Sequence, residues 1–230
     1  MTTAAVRIVA TKTRLVAFWD SSVGKKIVMG ATGLVLVAFL VGHMAGNLQV
    51  FAGRATINRY SALLHTSEEL LWLVRAGLLG CFVLHVISAY QLTRRDWAAR
   101  PVEYQQRVPQ AATLASRLMR VGGVLILIFV PVHLLNFTTG GWHPAFAAGD
   151  VYGNLVYAFR AWPLLAVFYI LTMVFVGMHL YHGVWAMFRT LGIAKPSANP
   201  MERRLAAAVA WIVAAGFIAV PASIVLGLVR

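Results

Sequence analysis

Apolar residues gather along the chain in five long runs, at 27–51, 70–92, 118–137, 162–188 and 205–229, separated by short polar and charged connections. A helix crosses the hydrocarbon core of a bilayer with about 20 apolar residues. Each run meets that length, so the pattern predicts an all-α membrane bundle of five transmembrane helices. Residues 1–26 hold Arg7, Lys12, Arg14 and Asp20, and no long apolar stretch precedes a small-residue cleavage site. They read as an interfacial segment leading into the first span rather than as a cleaved signal. No linker-like stretch or repeat divides the sequence, so residues 1–230 are expected to form a single membrane domain. The third connection, 138–161, holds Gly, Trp and His and is expected to cap the outer face.

Composition excludes the aqueous alternative. The chain is 60% hydrophobic and 12% charged, with a mean hydropathy of +0.75. A soluble domain is about 45–50% apolar and about 25% charged, and one core of this size cannot hide the surplus. The formal net charge is +13. On a soluble fold such an excess suggests nucleic acid; here the cations sit between apolar runs, so no nucleic-acid partner is expected and the charge reads as topology. Of the 20 Lys and Arg, 15 lie in the N-terminal segment or the second and fourth connections, including Arg94, Arg95, Arg100, Arg107, Lys195, Arg203 and Arg204. Only Arg54, Arg59 and Arg160 lie in the first and third connections. The positive-inside rule then places the N-terminus in the cytoplasm and the C-terminus outside. The single cysteine, Cys81, lies within an apolar run, and no CxxCH occurs, which excludes a disulfide framework and haem attachment by that motif.

Five of the seven histidines fall inside the spans: His43, His85, His133, His179 and His182. Ionisable residues within membranes are expensive and mark function, although one isolated histidine is equally well explained by a bond to a neighbouring helix. Depth separates these readings. At a rise of about 1.5 Å per residue from the cytoplasmic charged edge, His85 and His179 lie about 13 and about 15 Å deep. His43 and His133 lie about 26 and about 20 Å deep on the same scale. The four thus form an inner pair on spans two and four and an outer pair on spans one and three. Two neutral imidazoles at one depth suit the axial positions of a haem, and small residues stand beside them (Gly42 and Gly46 around His43, Ser88 and Ala89 after His85, Gly177 before His179). Those glycines fit close helix packing as well. A mononuclear zinc or copper site needs three or more ligands at one depth, and a proton relay favours buried carboxylates, neither of which the sequence offers. The spacing therefore points to two b-type haems.

The segments SSVGKKIVMGATG, LVGHMAGNLQVFAG, LHTSEELLW, LHVISAYQLT and HLYHGVWAMFRTLG resemble the cytochrome b558 membrane anchor of succinate:quinone oxidoreductases, the single-subunit diheme type. The likeness runs from residue 21 to residue 228, and the fifth span shares only its character. It implies haem ligands at His43, His85, His133 and His179, the first helix pairing with the third and the second with the fourth. The motif HLYHG offers both His179 and His182; the resemblance favours His179 and leaves His182 to support a propionate or a quinone. It also implies partners on the cytoplasmic face, an FAD flavoprotein that interconverts succinate and fumarate and an iron–sulfur protein. The substrate on the membrane side is a quinone, menaquinone or ubiquinone, in a bacterial inner membrane, and higher oligomers of the complex fit the family. The basic connections suit docking of these partners, although the positive-inside rule alone produces the same charges.

Arg75, near the outer surface of the second span, is expected either to pair with a haem propionate or to snorkel to the interface. A quinone site needs polar groups beside an apolar slot. On the cytoplasmic side Ser21, Ser22 and Lys25 qualify, though a serine there also suits a helix cap. On the outer side Glu68, Glu69 and Trp72 qualify beside His65, though carboxylates also suit a helix N-terminus. Competing functions are a diheme anchor for another quinone-linked enzyme, such as a hydrogenase or formate dehydrogenase, and a haem-free anchor or transporter.

Overall fold

The computed structural model describes residues 13–99, 113–193 and 200–230. The interfacial segment over 1–12 and the basic residues Arg100, Arg107 and Lys195 lie outside them. The helices are α1 (Arg14–Asp20), α2 (Ser22–Leu48, continued by a 3-10 turn at Gln49–Ala52), α3 (Arg54–Leu64), α4 (Glu68–Ala98), α5 (Leu114–Phe137), α6 (Val151–Ala161), α7 (Pro163–Thr190) and α8 (Pro200–Val225). Five of these, α2, α4, α5, α7 and α8, are long and apolar enough to cross a membrane. No strand occurs among the described residues.

Caps move the helix ends away from the ends of the apolar runs. Ser21 accepts a bond from Gly24 N at 2.8 Å, so α2 starts at Ser22 and absorbs residues assigned by hydropathy to the interfacial segment. Ser67 caps α4 in the same way, with Glu68 and Glu69 in its first turn, where the helix dipole favours carboxylates. Arg94, Arg95 and Asp96 do not stop α4, because charge ends a span without ending a helix. At the far end of α8 the apolar run continues to residue 229, but Gly227 takes φ 74° and ends the helix. Leu228 N bonds Ser223 O at 2.9 Å and Gly227 N bonds Ile224 O at 3.1 Å. This is the left-handed glycine stop of a Schellman motif.

The bundle is arranged around α2 and α7. Helix α4 packs on α2, α5 packs on α7, α2 touches α7, and α8 lies against both α7 and α2. None of the most apolar stretch of α4 is buried, against 39% of that of α8, so α4 is peripheral and α8 is a packing helix. Met44, Met173, Val176, Leu180, Ala210 and Val213 fill the space between α2, α7 and α8. A Cβ at Gly177 would lie 3.0 Å from that of Ala214, so Gly177 admits α8 rather than leaving room beside His179. Gly46 similarly receives the Tyr60 ring of α3, whereas Gly42 faces open space.

At the end of the bundle opposite Ser22, the third connection folds into a cap that includes α6. Asp150 joins it to the first connection by accepting bonds from Arg54, from Asn58 Nδ2 at 2.8 Å and from Gly153 N at 3.1 Å. Burial pushes the Asp150 carboxyl up, but the bonds from Asn58, Gly153 and Arg54 and the charge of Arg54 outweigh it, so its pKa lies below the usual carboxylate value. Within the cap, buried His143 donates from Nε2 to Asn154 O at 3.0 Å, and the Asn154 amide bonds both backbone groups of Ala147.

Candidate functional site

The structure brings four histidines together in two pairs. The ring centres of His43 on α2 and His133 on α5 lie 5.7 Å apart, with their planes at 85°. Those of His85 on α4 and His179 on α7 lie 6.1 Å apart, at 57°. Neither α2 with α5 nor α4 with α7 packs extensively, so each pair faces across a gap between helices held apart at the backbone. In both cases one partner stands on a central helix and the other on a peripheral one.

Backbone and hydroxyl groups orient the peripheral rings. His85 Nδ1 lies 3.0 Å from Met29 O and 3.4 Å from Thr32 Oγ1, both on α2. A carbonyl only accepts, so Nδ1 carries the proton and the Nε2 lone pair is left for a metal. Gly33 lies opposite the same ring, where an added Cβ would come within 3.3 Å of His85 Cε1. His133 Nδ1 lies 3.3 Å from the Tyr169 hydroxyl on α7. The central rings are held differently. Asn47 donates to the His43 carbonyl at 2.8 Å and its amide nitrogen stands 3.4 Å from His43 Nε2, while Phe39 stacks on the ring at 5.3 Å. His179 Nδ1 is buried without a hydrogen-bond partner among the described residues, a polar atom whose isolation needs a physical reason.

The braces cross between the layers. Helix α2 carries His43 of one pair and the Met29 carbonyl that holds His85 of the other; α7 carries His179 and the Tyr169 hydroxyl that reaches His133. Neither brace was visible in the sequence. A backbone carbonyl leaves no mark there, and Tyr169 shares its only signal, a hydroxyl within an apolar run, with Tyr90 and Tyr181.

A metal–imidazole bond is about 2.0–2.1 Å, and with about 1.1 Å from each nitrogen to its ring centre, two imidazoles on opposite sides of one metal place their centres about 6.3 Å apart. The His85–His179 spacing of 6.1 Å is close to this, and the His43–His133 spacing of 5.7 Å is about half an ångström shorter. No group of three or more His, Cys, Asp or Glu suited to a metal occurs among the described residues. Donors that come in twos suit a metal whose remaining positions are filled by a macrocycle.

The other candidates are not members of the pairs. His182 is half-buried on α7, one turn from His179, and makes no ring contact with either pair among the described residues. Arg75 places its guanidinium 5.1 Å from the centre of the Trp72 ring on its own helix, and Trp72 itself is exposed. Glu68 and Glu69 are exposed at the start of α4. At the opposite end Ser21 is the cap of α2, Ser22 Oγ accepts from Arg95 at 3.2 Å, and buried Lys25 donates to the Trp19 carbonyl. Arg95 also donates to Asp20 O at 2.6 Å, and Arg203 lies over the Trp185 ring, whereas Arg94 and Arg204 are exposed.

Comparison with protein-family models, with curated proteins and with solved structures finds no match to the chain.

Proposed function

We propose that the chain is the diheme cytochrome b anchor of a succinate:quinone oxidoreductase in a bacterial inner membrane. The observation that carries this reading is the spacing of the histidine pairs: two sets of half-buried rings about 6 Å apart, each bridging helices that do not pack extensively on one another. His43 and His133 would hold one b-type haem, and His85 and His179 the other. Each haem supplies a one-electron carrier when bound. The residues of the chain supply the rest. Met29 O fixes the His85 tautomer, the Phe39 and Phe129 rings pack on His43 and His133 and exclude water, and the apolar spans hold both layers in a low dielectric.

Two layers stacked across the bilayer give a route between its faces. The basic end, with exposed Arg94 and Arg204, suits a flavoprotein and an iron–sulfur protein docked in the cytoplasm. The family motifs quoted above favour succinate or fumarate as the substrate of those partners over hydrogen or formate. For the quinone, Ser21, Ser22 and Lys25 are already engaged in capping and helix contacts, so the exposed set Glu68, Glu69 and Trp72 at the opposite end is the better candidate.

A reduced-minus-oxidised spectrum of the purified membrane chain tests the reading. Two b-type components are expected. His43→Ala and His133→Ala should each remove one of them, His85→Ala and His179→Ala the other, and His182→Ala neither. Absence of any b-type band overturns the haem reading, and loss of the same component in His43→Ala and His85→Ala overturns the pairing. Co-purification of a flavoprotein that oxidises succinate tests the assignment of partners.

A further inference from the structure

We infer that Tyr169 is a positioning residue for the layer formed by His43 and His133, and that its hydroxyl sets the reduction potential of the haem held there. The inference rests on the diheme reading and goes beyond it, because it names a residue that ligates nothing.

Tyr169 is 7% exposed. Its ring is wedged among Phe129 at 4.7 Å, Phe159 at 5.2 Å and Phe137 at 5.8 Å, all in edge-on contact. These contacts leave the phenol little freedom, and the His133 Nδ1 at 3.3 Å is its one hydrogen-bond partner among the described residues. A buried hydroxyl without a partner is destabilising, so a phenylalanine would pack here more easily unless the contact to His133 mattered. For Nε2 of His133 to bind iron, Nδ1 must carry the proton and donate it to the phenol oxygen. Such a bond raises the basicity of the ligating nitrogen and favours the ferric state.

The two layers are therefore unequal. His85 donates first to a backbone carbonyl at 3.0 Å, which accepts only and which no side-chain substitution removes, with the Thr32 hydroxyl farther off at 3.4 Å. His133 donates to a phenol, a weaker acceptor and one that a single substitution deletes. The haem held by His43 and His133 is accordingly the one whose potential depends more directly on a single side chain.

The test is a redox titration of the full chain carrying both haems, resolved into two components, with ferric low-spin EPR signals followed in parallel. Tyr169→Phe keeps the ring and deletes the hydroxyl. The component lost in His133→Ala should become about tenfold easier to reduce, an upward shift of about 59 mV for a one-electron couple. The component lost in His85→Ala should stay in place. Phe159→Leu, which loosens the packing around Tyr169 but keeps its hydroxyl, should move neither component by more than about threefold, or about 28 mV on the same scale. Selective loss of the His133 component in Tyr169→Phe also supports the inference. An unmoved midpoint, an equal shift of both components, or a shift as large in Phe159→Leu overturns it. Absence of b-type bands from the unsubstituted chain overturns this inference together with the diheme reading.

Discussion

At the scale of single residues, polar groups are gathered around a few acceptors. Asp150 shows how. It gathers a guanidinium, an amide and a backbone N–H from three places and so latches the third connection to the first. Its pKa is lowered in the folded protein, and a lowered carboxyl contributes stability that is fully present above its unfolded value of about 3.9. That contribution is lost as the pH falls through the folded value, which lies lower still. The latch should therefore hold at neutral pH and down to about pH 4, and open only in stronger acid. Asp150→Asn should loosen the cap at pH 7 and flatten the change in tryptophan emission, from Trp142 and Trp162, that the unsubstituted protein shows in that acid range. An acid step of unchanged size in the variant would assign it to another group. The histidine layers were legible at this scale because depth can be counted along a helix from a charged edge. The contacts that orient the rings were not, since Met29 acts through its backbone and the Tyr169 hydroxyl gains meaning only from the neighbouring helix.

At the scale of helices, the five spans were legible because a membrane asks only for length and apolar character, and all five appear within a few residues of their expected positions. Their ends were less so, because caps and glycine stops, not hydropathy, decide where backbone bonding ceases. The short helices α3 and α6 escaped notice because, at 11 residues each, neither is long enough to read as a span. Small residues carried the most ambiguous signal. Gly177 admits Ala214 of α8, whereas Gly42 has no neighbour within 4 Å of an added Cβ. Overpacking a tight contact costs about 1–3 kcal/mol, so Gly177→Leu should lower the thermal midpoint in detergent by that equivalent. Gly42→Ala should change stability by less than about 0.5 kcal/mol. Equal destabilisation by the two variants would place Gly42 in a contact as close as that of Gly177.

At the scale of the whole molecule, a firm centre of α2, α7 and α8 carries two outlying helices, α4 and α5, each packed on one central helix and facing the other across a histidine pair. Anything that fills those gaps binds the assembled state and stabilises it by linkage, by about 2.7 kcal/mol at a hundredfold excess over its dissociation constant. Chain produced in haem-deficient cells should thus show faster amide hydrogen exchange in α4 and α5 than chain from replete cells, with α7 and α8 little changed. A difference spread evenly over all five spans would speak against gaps that a cofactor closes. The crossed bracing also bears on biogenesis. Because each brace belongs to the centre, the contacts that orient one layer do not depend on the peripheral helix of the other. On the diheme reading, a greasy macrocycle dissolved in the bilayer would then be expected to slide into each gap edge-first after the chain has been inserted, one leaf at a time and in either order.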